Sequence, residues 1–171
     1  MIQIDVAIKS KKWLEEKNID NFIIKICKTL IPLTDLKKIL SKSFDLELTV
    51  LLVSDRQIKK INSQFRGQNK PTNVLSFPSL DENLIRKSGL KKAIGSFDYL
   101  LLGDVIISYE TVKKESLAQR KEFHDHLSHL ILHSILHLIG HDHQEEKMAI
   151  KMESLEIKIL KKLGLPNPYI N

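Results

Sequence analysis

The chain has almost no cysteine. Cys27 stands alone among 171 residues, so no internal disulfide can staple the fold. It ends the apolar run Phe22-Ile-Ile-Lys-Ile-Cys27 and reads as a small buried hydrophobe, with a reducing, cytoplasmic setting as the expectation. Long hydrophobic runs are missing too. The most apolar stretch, Tyr99 to Ile107, is interrupted by Gly103 and Asp104 and falls well short of a membrane span. The first residues lack the charged start, long apolar core and small-residue cleavage site of a signal peptide. Internal repeats and linkers are absent, so residues 1–171 read as one domain, long enough for a sizeable core. Acids are in deficit: 21 Asp and Glu face 27 Lys and Arg, a net charge of +6 that favours a polyanionic partner, while the lack of a span leaves no membrane partner expected.

The basic residues are unevenly placed. Asp55 to Lys70 holds Arg56, Lys59, Lys60, Arg66 and Lys70 against one acid, and a second run comprises Arg86, Lys87, Lys91 and Lys92. From Glu145 onward both signs mix, which reads as an ordinary solvated helix face.

Periodicity supplies the elements. Met1 to Ile8 and Leu46 to Val53 alternate as strands, and Tyr99 to Ile107 is apolar enough to lie centrally in a sheet. Val74 to Phe77 is a short strand stopped by Pro78. Asn18 or Asp20 can cap a helix reaching Ile31; Pro32 interrupts it, and Thr34-Asp35 can restart it to Ser41. Ser54 caps a helix through Phe65, and Ser108 one through Ala118. Arg66 to Pro71 is a loop, and Leu80 to Ser96, charged and glycine-broken, reads as a long mobile loop. Phe123, Leu127, Leu130, Ile131, Ile135 and Leu138 form a helical apolar stripe, and a last amphipathic helix runs from Glu145 to Leu163. The sum is a single α+β domain: a mixed sheet of about four strands packed with helices, one of them a zincin-like metal-site helix.

That helix carries the most telling residues. All seven histidines fall between His124 and His143. His133 and His137, four apart, point from one helix face. Gly140 can end the helix in a left-handed cap and let the chain return His143 to the same point. Three imidazoles with one open position make a catalytic zinc site. The spacing nearly repeats the His-Glu-x-x-His-x-x-Gly-x-x-His of metallopeptidases, but Ser134 stands where the glutamate base would be. His129 shares the face and can support a ligand, or simply pack; His124 and His126 read as surface residues, and His141 as a turn residue outside the ligand set.

Three blocks, in order, resemble the YbeY family of metal-dependent endoribonucleases, or rRNA maturation factors. From the N-terminus they are Arg66-Gly-Gln-Asn-Lys-Pro71-Thr72-Asn73-Val74-Leu75-Ser76-Phe77-Pro78, Leu102-Gly103-Asp104-Val105-Ile106-Ile107-Ser108 and His133-Ser-Ile-Leu-His137-Leu-Ile-Gly140-His141-Asp142-His143. Ser134, His141 and Asn73 depart from the family's glycine, tyrosine and aspartate. Residues 1–50 carry almost no such signal.

The resemblance implies a hydrolase that cleaves single-stranded RNA. Its implied setting is maturation of the small-subunit ribosomal RNA 3′ end and ribosome quality control, with the small subunit and assembly factors as partners. One Zn²⁺ per chain would be held by His133, His137 and His143. Arg66 and His133 are the expected catalytic residues, Arg66 as a phosphate clamp. The base is open between the activated water, His129 and the substrate's own 2′-hydroxyl. Asp142 is expected to orient a ligand or cap the turn, and Asp104 and Ser76 to be structural. The rivals are a zinc metallopeptidase, which lacks its base at Ser134, and a non-enzymatic ribosome-assembly factor with structural zinc.

Overall fold

The computed structural model describes residues 1–40, 45–95 and 98–170. Four strands form one mixed sheet in the order β1 (Ile2–Ile8), β2 (Asp45–Val53), β4 (Tyr99–Ser108), β3 (Val74–Pro78). The first three run parallel, and β3 is antiparallel to β4 at one edge. The apolar β4 is central, as its sequence predicts.

Alternation sorts the side chains of β2. Leu46, Leu48, Val50 and Leu52 are buried on one face, in a core shared with Ile23, Cys27 and Leu30 of α1 (Ile19–Leu30) and Leu127, Ile131 and Ile135 of α6 (Phe123–Leu138). On the other face Val53, Leu75 and Ile106 pack on Ile58 of α2 (Asp55–Arg66). Helix α5 (Tyr109–Ala118) leads to α6, and α7 (Glu146–Lys162) packs on it. No helix among the described residues is long and apolar enough to cross a membrane.

Two local devices aim the site. Helix α2 begins with the predicted cap at Ser54, here a full capping box: the Ser54 hydroxyl accepts from the Gln57 amide, and the Gln57 side chain accepts from the Ser54 amide at 2.8 Å. Gly67, in the left-handed region, closes α2, so Arg66 ends it. The β4 register slips at Leu102, a bulge whose next residue, Gly103, has φ +140°. A Cβ on Gly103 would lie 2.2 Å from the Phe77 carbonyl oxygen, so only glycine lets β3 pair this closely.

Several expectations need correction. Residues 80–96 are not a loop throughout: α3 (Glu82–Ser88) and α4 (Leu90–Ile94) lie there, with Asp81 capping the first. Of their side chains only Ile85 and Ile94 are buried, with Leu90 partly so, too few to produce a periodic pattern. Ser108 occupies the N-cap position of α5, but its hydroxyl donates to Asp55 at 2.6 Å instead of capping. Neither Asn18 nor Asp20 caps α1 through its side chain. After Pro32 the chain forms a short 3₁₀ turn, Asp35–Lys38, capped by Thr34; its predicted end at Ser41 lies outside the described residues.

Candidate metal centre and nucleic-acid cleft

Helix α6 crosses β3 with its apolar stripe inward and its histidine side facing a cleft of about 860 Å³. The helix stops as its sequence predicts. The Gly140 amide donates to the His137 carbonyl and the His141 amide to the Leu136 carbonyl, a Schellman cap with Gly140 at φ +91°. A Cβ there would meet Ile85 of α3 at 2.7 Å, so α3 is seated on this turn. Asp142 caps it, accepting from the His143 amide at 2.7 Å and from Arg86 at 3.0 Å.

The turn brings the three histidines together. His133 Nε2 and His137 Nε2 are 3.1 Å apart. The His143 ring centroid lies 4.9 Å from that of His137 and 5.4 Å from that of His133. One nitrogen from each lies within 4.8 Å of the others. Two nitrogens that share one ion at about 2.0–2.1 Å each can be no more than about 4.2 Å apart, a limit the closer pair satisfies. Burial, and then the neighbouring His133 and His143, push the His137 pKa down to about 4. Its ring is therefore neutral near pH 7, the form a metal requires. The donor set fits one metal ion with an accessible side, since His143 is exposed.

A residue absent from the sequence-predicted set fixes this arrangement. Glu156, on α7, is fully buried and accepts from His133 Nδ1 at 2.8 Å and His129 Nε2 at 3.2 Å, and from the Tyr169 hydroxyl. Burial alone would raise its pKa, but the donors His129, His133 and Tyr169 outweigh this and hold it near 2. The ionised carboxylate keeps the His133 proton on Nδ1 and leaves Nε2 free to ligate. The α7 face is thus not wholly solvated, and the signal was present: Glu156 shares an apolar stripe with Met152, Ile159 and Leu160.

The remaining histidines divide. His129 supports His133 through the shared carboxylate; its Nε2 is engaged and its Nδ1 is buried, which removes it as a candidate base. His126 is not a surface residue: it is 5% exposed and bonded to Glu115 at 2.9 Å. Its spacing from Phe123 and Leu130 places it on the buried stripe. His124 is half-buried, edge-on to Phe22 and Phe123. His141 turns away to Asp35 at 3.2 Å.

The departures from the family blocks also find places. Asn73 donates to both Glu115 oxygens, at 3.2 and 3.0 Å, so its amide joins the Glu115–His126 pair. Burial raises the Glu115 pKa, but hydrogen bonds from His126 and Asn73 bring it below its ordinary value. Ser134 is buried with its hydroxyl on the Leu130 carbonyl at 2.9 Å, facing the core and not the cleft. Arg66 lines the cleft from the end of α2, exposed and without an ion pair among the described residues. Ser76 lines the cleft, while Asp104 is exposed on β4 opposite Phe77.

Residues 5–164 match the family described as Endoribonuclease YbeY. The chain belongs to the YbeY family. Proteins named Endoribonuclease YbeY from Bartonella henselae and Bartonella quintana are 41% and 40% identical to it, each over 99% of this chain and 98% of the relative. The solution structure of TM1509 from Thermotoga maritima shares the fold, with a TM-score of 0.55 at 23% identity and full coverage of both chains. Family membership accounts for the order of the three blocks, and the structure brings the Arg66 and histidine blocks to one cleft.

Proposed function

We propose that this chain, acting as one domain over residues 1–171, is a metal-dependent endoribonuclease that hydrolyses single-stranded RNA. Its substrate is ribosomal RNA, notably the small-subunit 3′ end, and its setting is cytoplasmic ribosome maturation and quality control alongside the small subunit and its assembly factors. The supporting observation is the convergence of three imidazoles in a cleft that an unpaired arginine also lines. The relatives' name supplies the reaction class.

His133, His137 and His143 would hold one Zn²⁺. When bound, the ion supplies Lewis acidity that lowers the pKa of a water from about 15.7 toward about 7 and polarises a phosphoryl oxygen. The chain's own residues do the rest. Glu156 holds the His133 proton on Nδ1. Arg66 presents a planar guanidinium that grips the phosphate and meets the charge that grows on its oxygens. The exposed cations of α2 guide the RNA backbone with salt-sensitive affinity. With Ser134 turned into the core and His129 tied to Glu156, no side-chain base is required of either.

Incubating the purified protein with single-stranded RNA, duplex RNA and an unfolded protein tests this reading; only the first should be cut. Peptide cleavage that disappears in His137→Ala, with RNA intact throughout, would overturn it in favour of a peptidase. Arg66→Ala should lower kcat/KM by about a hundredfold. Because Arg66 is exposed, stability should change by no more than about 0.5 kcal/mol and metal content not at all.

A further inference from the structure

Among the described phenylalanines only Phe65 is exposed, at 62%. A lone apolar residue on a surface needs no explanation, but this one is placed and held. It continues the α2 stripe of Ile58 and Ile61, and its ring meets that of Phe77 on β3, with centroids 5.3 Å apart and planes at 67°. Phe77 lines the cleft, and so does Arg66, the next residue in the chain. Along another side of α2, Arg56, Lys59, Lys60 and Ser63 line a shallow groove that ends at Asn69, and none of these cations is ion-paired among the described residues. A largely exposed aromatic ring next in sequence to a guanidinium without an ion pair is a combination that binds single-stranded nucleic acid: the base stacks while the phosphate is neutralised.

We propose that Phe65 is a base-stacking platform at the rim of the cleft. A nucleobase lies on its open face, and the adjoining phosphate meets Arg66. The platform favours single strands because a paired and stacked base has no free face to offer. This inference rests on the RNA-cleaving reading and specifies how its substrate is held.

Phe65→Trp places an exposed indole in a chain whose one tryptophan, Trp13, is fully buried. Titration with oligouridine should quench its fluorescence to saturation, and a fully abasic oligonucleotide of equal length should not. Phe65→Leu should weaken oligouridine binding by roughly tenfold and raise KM more than it lowers kcat, while Phe65→Tyr restores binding. Equal quenching by the abasic strand, or unaltered binding by a folded Phe65→Leu chain, overturns the platform. If the wild-type chain cleaves RNA and Phe65→Leu is unchanged, the platform fails and the nuclease reading stands. If no RNA is cleaved but quenching still requires bases, the platform stands and the nuclease reading fails.

Discussion

His137→Ala should strip the metal from the chain and lower RNA cleavage by at least about a thousandfold. His137 is the member of the triad whose state is best determined. Burial and the two neighbouring imidazoles hold it neutral, so at pH 7 a metal ion meets little competition from protons at this nitrogen. Its removal leaves His133 and His143, a pair without the helix-borne partner that sets the angle between them. The fold should survive, because Leu136 and Leu138 on either side remain buried and the Schellman cap uses the backbone of residue 137. Elemental analysis and single-turnover cleavage, with circular dichroism as a folding control, check the prediction. A folded variant that keeps its metal and its activity would refute the triad.

The second large effect is expected far along the chain. Glu156→Ala removes one acceptor from three donors, the His129 and His133 rings and the Tyr169 hydroxyl. Buried donors left without an acceptor cost about 1–3 kcal/mol each when water cannot replace it. The two histidines and the tyrosine line the cleft, so water relieves part of this, and a net loss of about 2–4 kcal/mol is expected. The metal should suffer more selectively. Without the carboxylate the His133 proton is free to move to Nε2, and metal affinity should fall by about 10–100-fold. Glu156→Gln separates the two effects. It keeps the volume but offers one acceptor oxygen and an unwanted NH₂ donor to the same partners. If Glu156 orients His133, this variant should lose less stability than Glu156→Ala yet bind metal roughly tenfold more weakly. Wild-type metal affinity in a folded Glu156→Gln chain would reduce Glu156 to a packing residue.

What the sequence made legible was local. Alternation in β2 and the apolar run of β4 marked the sheet, because burial on one face or both leaves a period of two or an unbroken run. The cluster of His133, His137 and His143 was legible because the first two share a helix face and Gly140 fixes the turn to the third. Partners far apart in sequence were not. Glu156 lies 23 residues beyond His133, and Tyr169 reaches it from the C-terminal segment. Only a carboxylate lying on the apolar stripe of α7 hinted at either. The residue type of His126 suggests a surface position, but its place on the buried stripe of α6 decides. Helices α3 and α4 leave no period to detect because they are short and bury one side chain each, yet Ile85 and Arg86 brace the turn that delivers His143. Arg66 is legible as a cation anywhere. Its meaning comes from Gly67, which ends α2 there, and from the cleft that the arginine lines.

The most direct test of the whole account is a metal titration read by RNA cleavage. The chain is freed of metal by chelation, shown to remain folded, and titrated with Zn²⁺ against a single-stranded RNA substrate. No cleavage is expected without metal, and activity should rise linearly and level off at one ion per chain. Full cleavage by the folded, metal-free chain would contradict it, as would intact RNA once one ion per chain is bound.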